Sequence, residues 1–511
     1  MKKVRLDRNP ASAPAAPGKT GRMRPFAKVS CSKGSACSVR VDRNPPLTDS
    51  FTRRVYQYLR GDPMNESILI VGAGIAGINA ALNAADYGMK VYLLDDTPSI
   101  GGLMARLDKT FPTNDCSICI EAPKMYEVDN HPNIEILSNT DVRKVKKAGD
   151  VFKVRLVKKA KFIDEEKCTG CGACVEACPV SIPDEMDGKI GGMRKLIHME
   201  FPQAVPNVVS LDPDCRYGRM RDQGACVGGC VVDCSQCREC PIAMCVKACL
   251  EEGKDAVRLW QANQNINLQV KSIIVAAGLA SQTPPQGLFG YDECENVITN
   301  LHFERLMNAG GPTEGQIIRP SDRKHARRIA WIQCAGRGLK EGQLPYCSKV
   351  CCMIATKQTI ITKEHDAGVE TTVFYNNLKA YGKDFWGFYE KAKAQGVRYI
   401  NTRPADVFED PETKNLRIPY LDPATGERVE EEFDLVVLST GLVPNDRNKR
   451  LAKTLKIELD ELGFFKEKDP LTAPLETKTD GVYVCGGALG PIDISESVVQ
   501  ACAASMKAIL H

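Results

Sequence analysis

Residues 68–77 read Ile68-Leu-Ile-Val-Gly72-Ala-Gly74-Ile-Ala-Gly77, an apolar strand running straight into G-x-G-x-x-G. A helical pattern follows from Ile78 to Tyr87 and stops at Gly88. A second strand, Lys90 to Asp95, ends in an acid. The glycines let the backbone approach a pyrophosphate at the helix N-terminus, and Asp95 can accept hydrogen bonds from a ribose. A glycine motif alone is a weak signal. With a strand before it, a helix after it and an acid about 20 residues on, it specifies a dinucleotide-binding α/β domain.

A second signature is Cys168-Thr-Gly-Cys171-Gly-Ala-Cys174-Val-Glu-Ala-Cys178-Pro179. Its C-x2-C-x2-C-x3-C-P spacing is that of a bacterial ferredoxin: three thiolates grip one [4Fe–4S] cubane and the fourth reaches a second. A zinc knuckle fits less well, because zinc sites usually use two separated cysteine pairs. The chain therefore pairs a one-electron carrier with a nucleotide cofactor. Pro98-Ser-Ile-Gly101-Gly102 resembles the P-x-x-G-G continuation of FAD-binding flavoproteins with two dinucleotide domains, the thioredoxin-reductase type. The stretches 272–278, ending in Gly278, and 434–441, ending in Gly441, resemble the paired strand-to-glycine crossings of those proteins. Gly481-Val-Tyr-Val-Cys485-Gly486-Gly487 sits where their last strand meets the ribityl chain, with Gly487 in place of the usual acid.

The second glycine motif expected for NAD(P)H is missing. The strand Arg328-Ile-Ala-Trp-Ile-Gln333 runs into Cys334, and Cys347, Cys351 and Cys352 follow. Four thiolates this close can hold a further cluster, against the plainer reading of buried cysteines packing as small hydrophobes. Lys357, downstream on the same helix, is expected on a solvated face.

These residues resemble the HdrA-like family, the iron–sulfur flavoprotein of heterodisulfide reductase. The matching segments are Thr110 to Cys119, Phe201 to Asn207, Asn296 to Arg305, Pro345 to Cys352 and Ser439 to Pro444. The resemblance covers roughly 64–511. It implies that Cys334, Cys347, Cys351 and Cys352 bind a [4Fe–4S] cluster, that the ferredoxin-like insert binds two more, and that FAD is the branch point for electron bifurcation. The implied partners are disulfide-reducing and iron–sulfur subunits, a hydrogenase or dehydrogenase module and ferredoxin, with a homodimer inside a larger complex. The chain lacks the N-terminal domain and C-terminal ferredoxin module of longer relatives and ends on the flavoprotein helix at Ala503–His511, so it reads as a short form. Two other readings keep some of these features. One is the flavoprotein subunit of a quinone-interacting membrane-bound oxidoreductase. The other is a non-catalytic iron–sulfur redox sensor, which the intact flavin motifs oppose.

Between 168 and 249 stand twelve cysteines, where two clusters need eight. By the ferredoxin crossover, Cys168, Cys171 and Cys174 share a cluster with Cys249. Cys178 joins Cys245, Cys215 (matched from the family) and Cys240 or Cys237. The surplus within 226–240 leaves a fourth cluster, a zinc site or spare thiols open. Cys116-x2-Cys119 is equally open between a redox dithiol near the flavin, an iron ligand pair and a structural turn. Cys294, Cys485 and Cys502 are expected in the core.

The chain has 511 residues and 23 cysteines. Cysteine clustering of this kind with a dinucleotide fold points to reducing cytoplasm rather than a disulfide-rich secreted protein, and no apolar run is long enough to span a bilayer. Residues 1–63 carry 14 Lys/Arg against 4 Asp/Glu, which leaves the remainder at −6. They are expected to be a disordered leader or to precede the true start at Met64, and charge alone does not make them nucleic-acid binding. The expected fold is α/β: two Rossmann-like domains with a ferredoxin-like α+β insert carrying two clusters. FAD-binding parts lie at 64–160, 263–300 and 446–511, the insert at 161–262, and a second α/β domain with a cysteine-ligated cluster at 301–445.

Overall fold

The computed structural model describes residues 66–212, 244–259 and 261–511, with the backbone of 27–30 and 38–41. It divides into two compact units, Met1–Arg60 and Gly61–His511. In the first, β1 (Ala27–Ser30) pairs antiparallel with β2 (Ser38–Val41).

The second unit opens with β3 (Ser67–Val71), α1 (Ile75–Asp86), β4 (Lys90–Leu94), α2 (Ser117–Asn130) and β5 (Ile134–Leu137). Two long strands follow, β6 (Thr140–Ala148) and β7 (Val151–Lys158). Short helices α3 (Ala173–Glu176) and α4 (Met244–Glu251) come next, then β8 (Gln264–Val270) and β9 (Ser272–Val275). The chain continues through β10 (Val297–Thr299), α5 (Asn300–Met307), β11 (Arg328–Ile332), α6 (Cys351–His365), β12 (Glu370–Phe374) and β13 (Arg398–Ile400). It closes with β14 (Leu435–Leu438), β15 (Val482–Val484) and α7 (Ile494–Leu510).

Two five-stranded parallel sheets organise these elements. The first runs β15-β9-β3-β4-β5 and the second β10-β14-β11-β12-β13. Their central strands are buried along nearly their whole length, which is why they read as unbroken apolar runs rather than alternating ones. On the first sheet α1 and α7 share one core through alanines such as Ala80, Ala81, Ala501 and Ala504. The small side chains allow the close approach. α7 starts nine residues before the stretch expected to be helical, behind an Asp493 cap that accepts from Glu496 N–H at 2.8 Å. Strands β6, β7 and β8 form a separate antiparallel sheet whose apolar face, including Val142 and Leu156, joins the core beneath β3. A short antiparallel pair, Leu279–Ser281 with Leu442–Pro444, ties the two parallel sheets together.

Residues between β7 and β8 build their own small core from Ile163, Val180, Ile197 and Val209 with four cysteines. That segment is pinned to α5 by Arg305, whose Nε and Nη2 donate to the two oxygens of Asp187 at 2.8 and 2.9 Å.

Candidate functional site

Between the glycine loop and the second sheet lies a cavity of about 930 Å³. At one end are Gly72, Gly74, Gly102 and Gly278, together with Asp95. Gly72 must be glycine: its φ is +104°, and a Cβ would lie 2.2 Å from the Ala276 carbonyl oxygen. Gly77 does not line the cavity; a Cβ there would meet the Gly72 carbonyl oxygen at 1.8 Å, so its absence lets α1 abut the loop. Gly101 and Gly486 likewise serve close packing, against Ala105 and Ala76. Gly487 lines the cavity next to the start of α7.

The N-cap of α1 is Gly74, with no capping side chain and no acid in the first turn. Its first N–H groups and the helix dipole are thus available to an anion. This cradle fits the pyrophosphate of a dinucleotide. Asp95 borders the same space, yet its carboxylate also fixes the loop. Oδ2 accepts from Ala73 N–H at 2.7 Å, and Oδ1 accepts from Thr97 N–H and Oγ1 at 3.0 and 2.6 Å. Sequence reading missed its neighbours: Arg447 pairs with Asp96, and Arg450 donates to Asp141 at 2.9 and 3.2 Å, all four lining the cavity.

The opposite end of the cavity is polar in an unexpected way. Lys357 is not on a solvated face. It is 2 % exposed and lines the cavity, with Nζ 2.6 Å from Glu304 Oε1 and donating to the Lys109 carbonyl at 2.6 Å. Glu304, 2 % exposed, also accepts from Gln358 Nε2 at 2.8 Å. Beside the pair stands Asp108. Burial first, then the Glu304 charge, pushes its carboxyl up to about 6 against the pull of Lys357, and its Oδ2 has no partner.

Val350, Ile354 and Lys357 line the cavity from the start of α6, whose first two residues are Cys351 and Cys352. Cys334, in the left-handed region at φ +58° and lining a second, smaller cavity, and Cys347 come from the loop after β11 to within electrostatic reach of Cys351 and Cys352. The four sulfurs feel one another: the hydrogen bond to Cys352, then burial and the other thiols, hold the Cys351 proton on. The same bond draws the Cys352 thiol below its ordinary range. In the ferredoxin-like segment, Cys168, Cys171, Cys174 and Cys249 line one small cavity. Burial and then the charges of Cys168, Cys249 and Cys171 push the Cys174 thiol up to about 12. Cys178 and Cys245 are buried in the same core. Among the described residues no three His, Cys, Asp or Glu side chains are placed to hold a single metal ion. Cys215, Cys240 and the surplus cysteines within 226–240 lie outside the described residues.

Cys116 and Cys119 are joined as a disulfide at the N-terminus of α2, with Cys119 exposed. Neither lines the cavity, but Cys116 bridges to Lys109, which does. Cys294 and Cys485 are buried, and Cys502 is partly so. No described helix is long and apolar enough to cross a membrane.

Residues 67–113 match the family described as FAD dependent oxidoreductase, and residues 161–184 match the 4Fe-4S binding domain. Over 441 residues, 86% of this chain, it is 45% identical to the A-type iron-sulfur subunit of CoB–CoM heterodisulfide reductase from Methanocaldococcus jannaschii. It is 42% identical over 447 residues, 87% of the chain, to the second A-type iron-sulfur subunit of the same enzyme in Methanopyrus kandleri. The chain covers 63% and 64% of those relatives' lengths. Among solved structures, thioredoxin reductase of Lactococcus lactis aligns with 87% of this chain and 99% of its own at 14% identity and a TM-score of 0.45.

Proposed function

We propose that the protein is an FAD- and [4Fe–4S]-carrying electron-transfer subunit of a heterodisulfide reductase-type complex, a reading supported by its 45% and 42% identity to A-type subunits of that enzyme. It passes electrons between a donor module, ferredoxin and a disulfide- or sulfur-reducing partner. One observation carries the reading: a single cavity runs from the glycine cradle to the helix that opens with Cys351 and Cys352. A flavin held there accepts electrons in pairs and passes them on singly, which is the chemistry the protein needs the cofactor to supply.

The chain's own residues do the rest. Gly72, Gly74, Gly102 and the N-terminus of α1 receive the pyrophosphate, while Asp95 holds the loop in shape. Lys357 presents a buried cation to the redox end, and behind it the buried Asp108 carboxyl is able to hold a proton toward neutral pH. Cys334, Cys347, Cys351 and Cys352 hold one cluster a few residues from the flavin. Cys168, Cys171, Cys174 and Cys249 hold a second. Cys178 and Cys245 hold a third with Cys215 and Cys240. The Cys116–Cys119 pair, one β-bridge from the cavity loop, serves as a dithiol that exchanges electrons with it.

Anaerobic purification with FAD, iron and sulfide quantified tests this. The expected content is about one FAD and about twelve irons per chain. A Cys351→Ala variant should keep its FAD and lose about four irons. FAD with about eight irons, and an electron paramagnetic resonance spectrum unchanged by Cys347→Ala, would remove the cluster beside the flavin.

A further inference from the structure

We propose that a second cavity, outside the carboxyl ends of β11, β12 and β13, binds the phosphate group of a small molecule. This goes beyond the electron-carrying role. The cavity measures about 400 Å³, within the range of small-ligand sites and large enough for a mononucleotide. Gln333 follows β11, Asn376 and Asn377 follow β12, Arg403 follows β13, and all four line it. Open parallel sheets take their ligands in this position, beyond the carboxyl ends of adjacent strands.

Two independent observations point to an occupant. The first is Gln333, which is 3 % exposed and has no hydrogen-bond partner on either Oε1 or Nε2. A buried amide rarely goes unpaired, because it has lost water without gaining a partner. A ligand offering both a donor and an acceptor would satisfy it. The second is charge. Arg403 borders the cavity together with Arg337, which also hydrogen-bonds the Cys334 thiol at its edge, and the lining contains no Asp or Glu. Guanidinium groups match phosphate oxygens in pairs, and the asparagines add neutral donors.

The same geometry argues against a nicotinamide dinucleotide. A pyrophosphate cradle needs a helix starting directly after the strand, but residues 333–350 separate β11 from α6. A Cβ-free approach is also blocked at Gly338, where the Gln343 side chain already fills the space. The site retains the means to hold one phosphate and lacks those for a pair.

The phosphate could be free or carried on a nucleoside, and two probes separate these sources. Inorganic phosphate and AMP are titrated at constant ionic strength into the holoprotein, followed by calorimetry and thermal shift. Saturable binding is expected, weakened about tenfold by Arg403→Ala, the loss of one charge-assisted contact. Tighter binding of AMP identifies a nucleotide; equal binding identifies the free anion. Gln333→Leu is expected to raise the melting temperature without ligand and to abolish the ligand-induced rise. FAD and iron contents, measured in the same samples, stay at the wild-type level in Arg403→Ala, so failure here is separable from failure of the electron-transfer role. A response to neither probe, or one that Arg403→Ala leaves unchanged, overturns the site.

Discussion

Asp108 is a buried carboxyl whose titration is moved toward neutral pH. Its carboxyl is raised from 3.8 to about 6, chiefly by burial and next by the Glu304 charge. The folded protein therefore holds this proton longer than the unfolded chain does. Its contribution favours folding below 3.8 and is lost as pH rises through 6. Asp108→Asn should melt higher than wild type at about pH 7.5, with the gain shrinking toward pH 4. The full shift corresponds to at most about 3 kcal/mol, less whatever solvent screening its partial exposure allows. Denaturation midpoints at several pH values check this, and a gain independent of pH would assign the effect to something other than ionisation. Lys357 gives a sharper outcome. Lys357→Met leaves Glu304 buried without its cation, and breaking a buried pair from one side costs roughly 3–5 kcal/mol. Lys357→Met combined with Glu304→Gln should recover much of that loss, and a double-mutant cycle on melting temperature measures how much.

At the scale of elements, α6 shows why part of the site was hidden from sequence reading. Its stretch from Cys351 to Thr362 is buried at all but one position, although it contains Thr356, Lys357, Gln358, Thr359 and Thr362. The threonines satisfy themselves on the helix: Thr356 Oγ1 donates to the Cys352 carbonyl at 3.0 Å and Thr362 Oγ1 to that of Gln358 at 2.8 Å. Gln358 is satisfied by Trp331 Nε1 and Glu304. A helix that buries its polar groups this way carries no amphipathic stripe, so Lys357 read as surface. The glycine loop was legible for the opposite reason. Gly77 answers a collision with the Gly72 carbonyl inside the motif itself, and the spacing of the motif marks Gly72 although its own collision is with distant Ala276, whereas the Lys357–Glu304 contact joins residues 53 apart on α6 and α5 with no motif to mark it. Long-range fixing also holds the ferredoxin-like segment. Arg305 grips Asp187 through two nitrogens and donates to the Arg106 carbonyl at 3.0 Å. Arg305→Lys keeps the charge and loses the fork. Amide exchange should rise in residues 184–191 while the glycine loop stays as protected as before. Unchanged exchange there would mean that the segment is held by its apolar contacts alone.

At the scale of the whole second unit, the large cavity is walled by both parallel sheets. Gly72 and Gly74 come from the first, and Asn300, Ile354 and Lys357 come from the elements of the second. Besides the three-residue antiparallel pair, the links between the sheets' elements are single side-chain contacts at the rim of the cavity, such as Lys357 to the Lys109 carbonyl and Lys349 to Glu496. A cofactor spanning the cavity would therefore act as a clamp as well as a redox centre. Binding to the folded state alone stabilises it by RT ln(1 + [L]/Kd), about 2.7 kcal/mol at a hundredfold excess over Kd. Removing FAD should lower the melting temperature, and adding it back should restore the temperature in a concentration-dependent way. Amide exchange locates the clamp. If FAD reaches across, its removal should loosen the loop at 72–74 and also residues 350–357 and 381–385, which line the far wall. Were only the glycine loop to respond, the flavin would end short of Lys357. The proximity of Cys351 and Cys352 to the cavity would then no longer explain how electrons leave it.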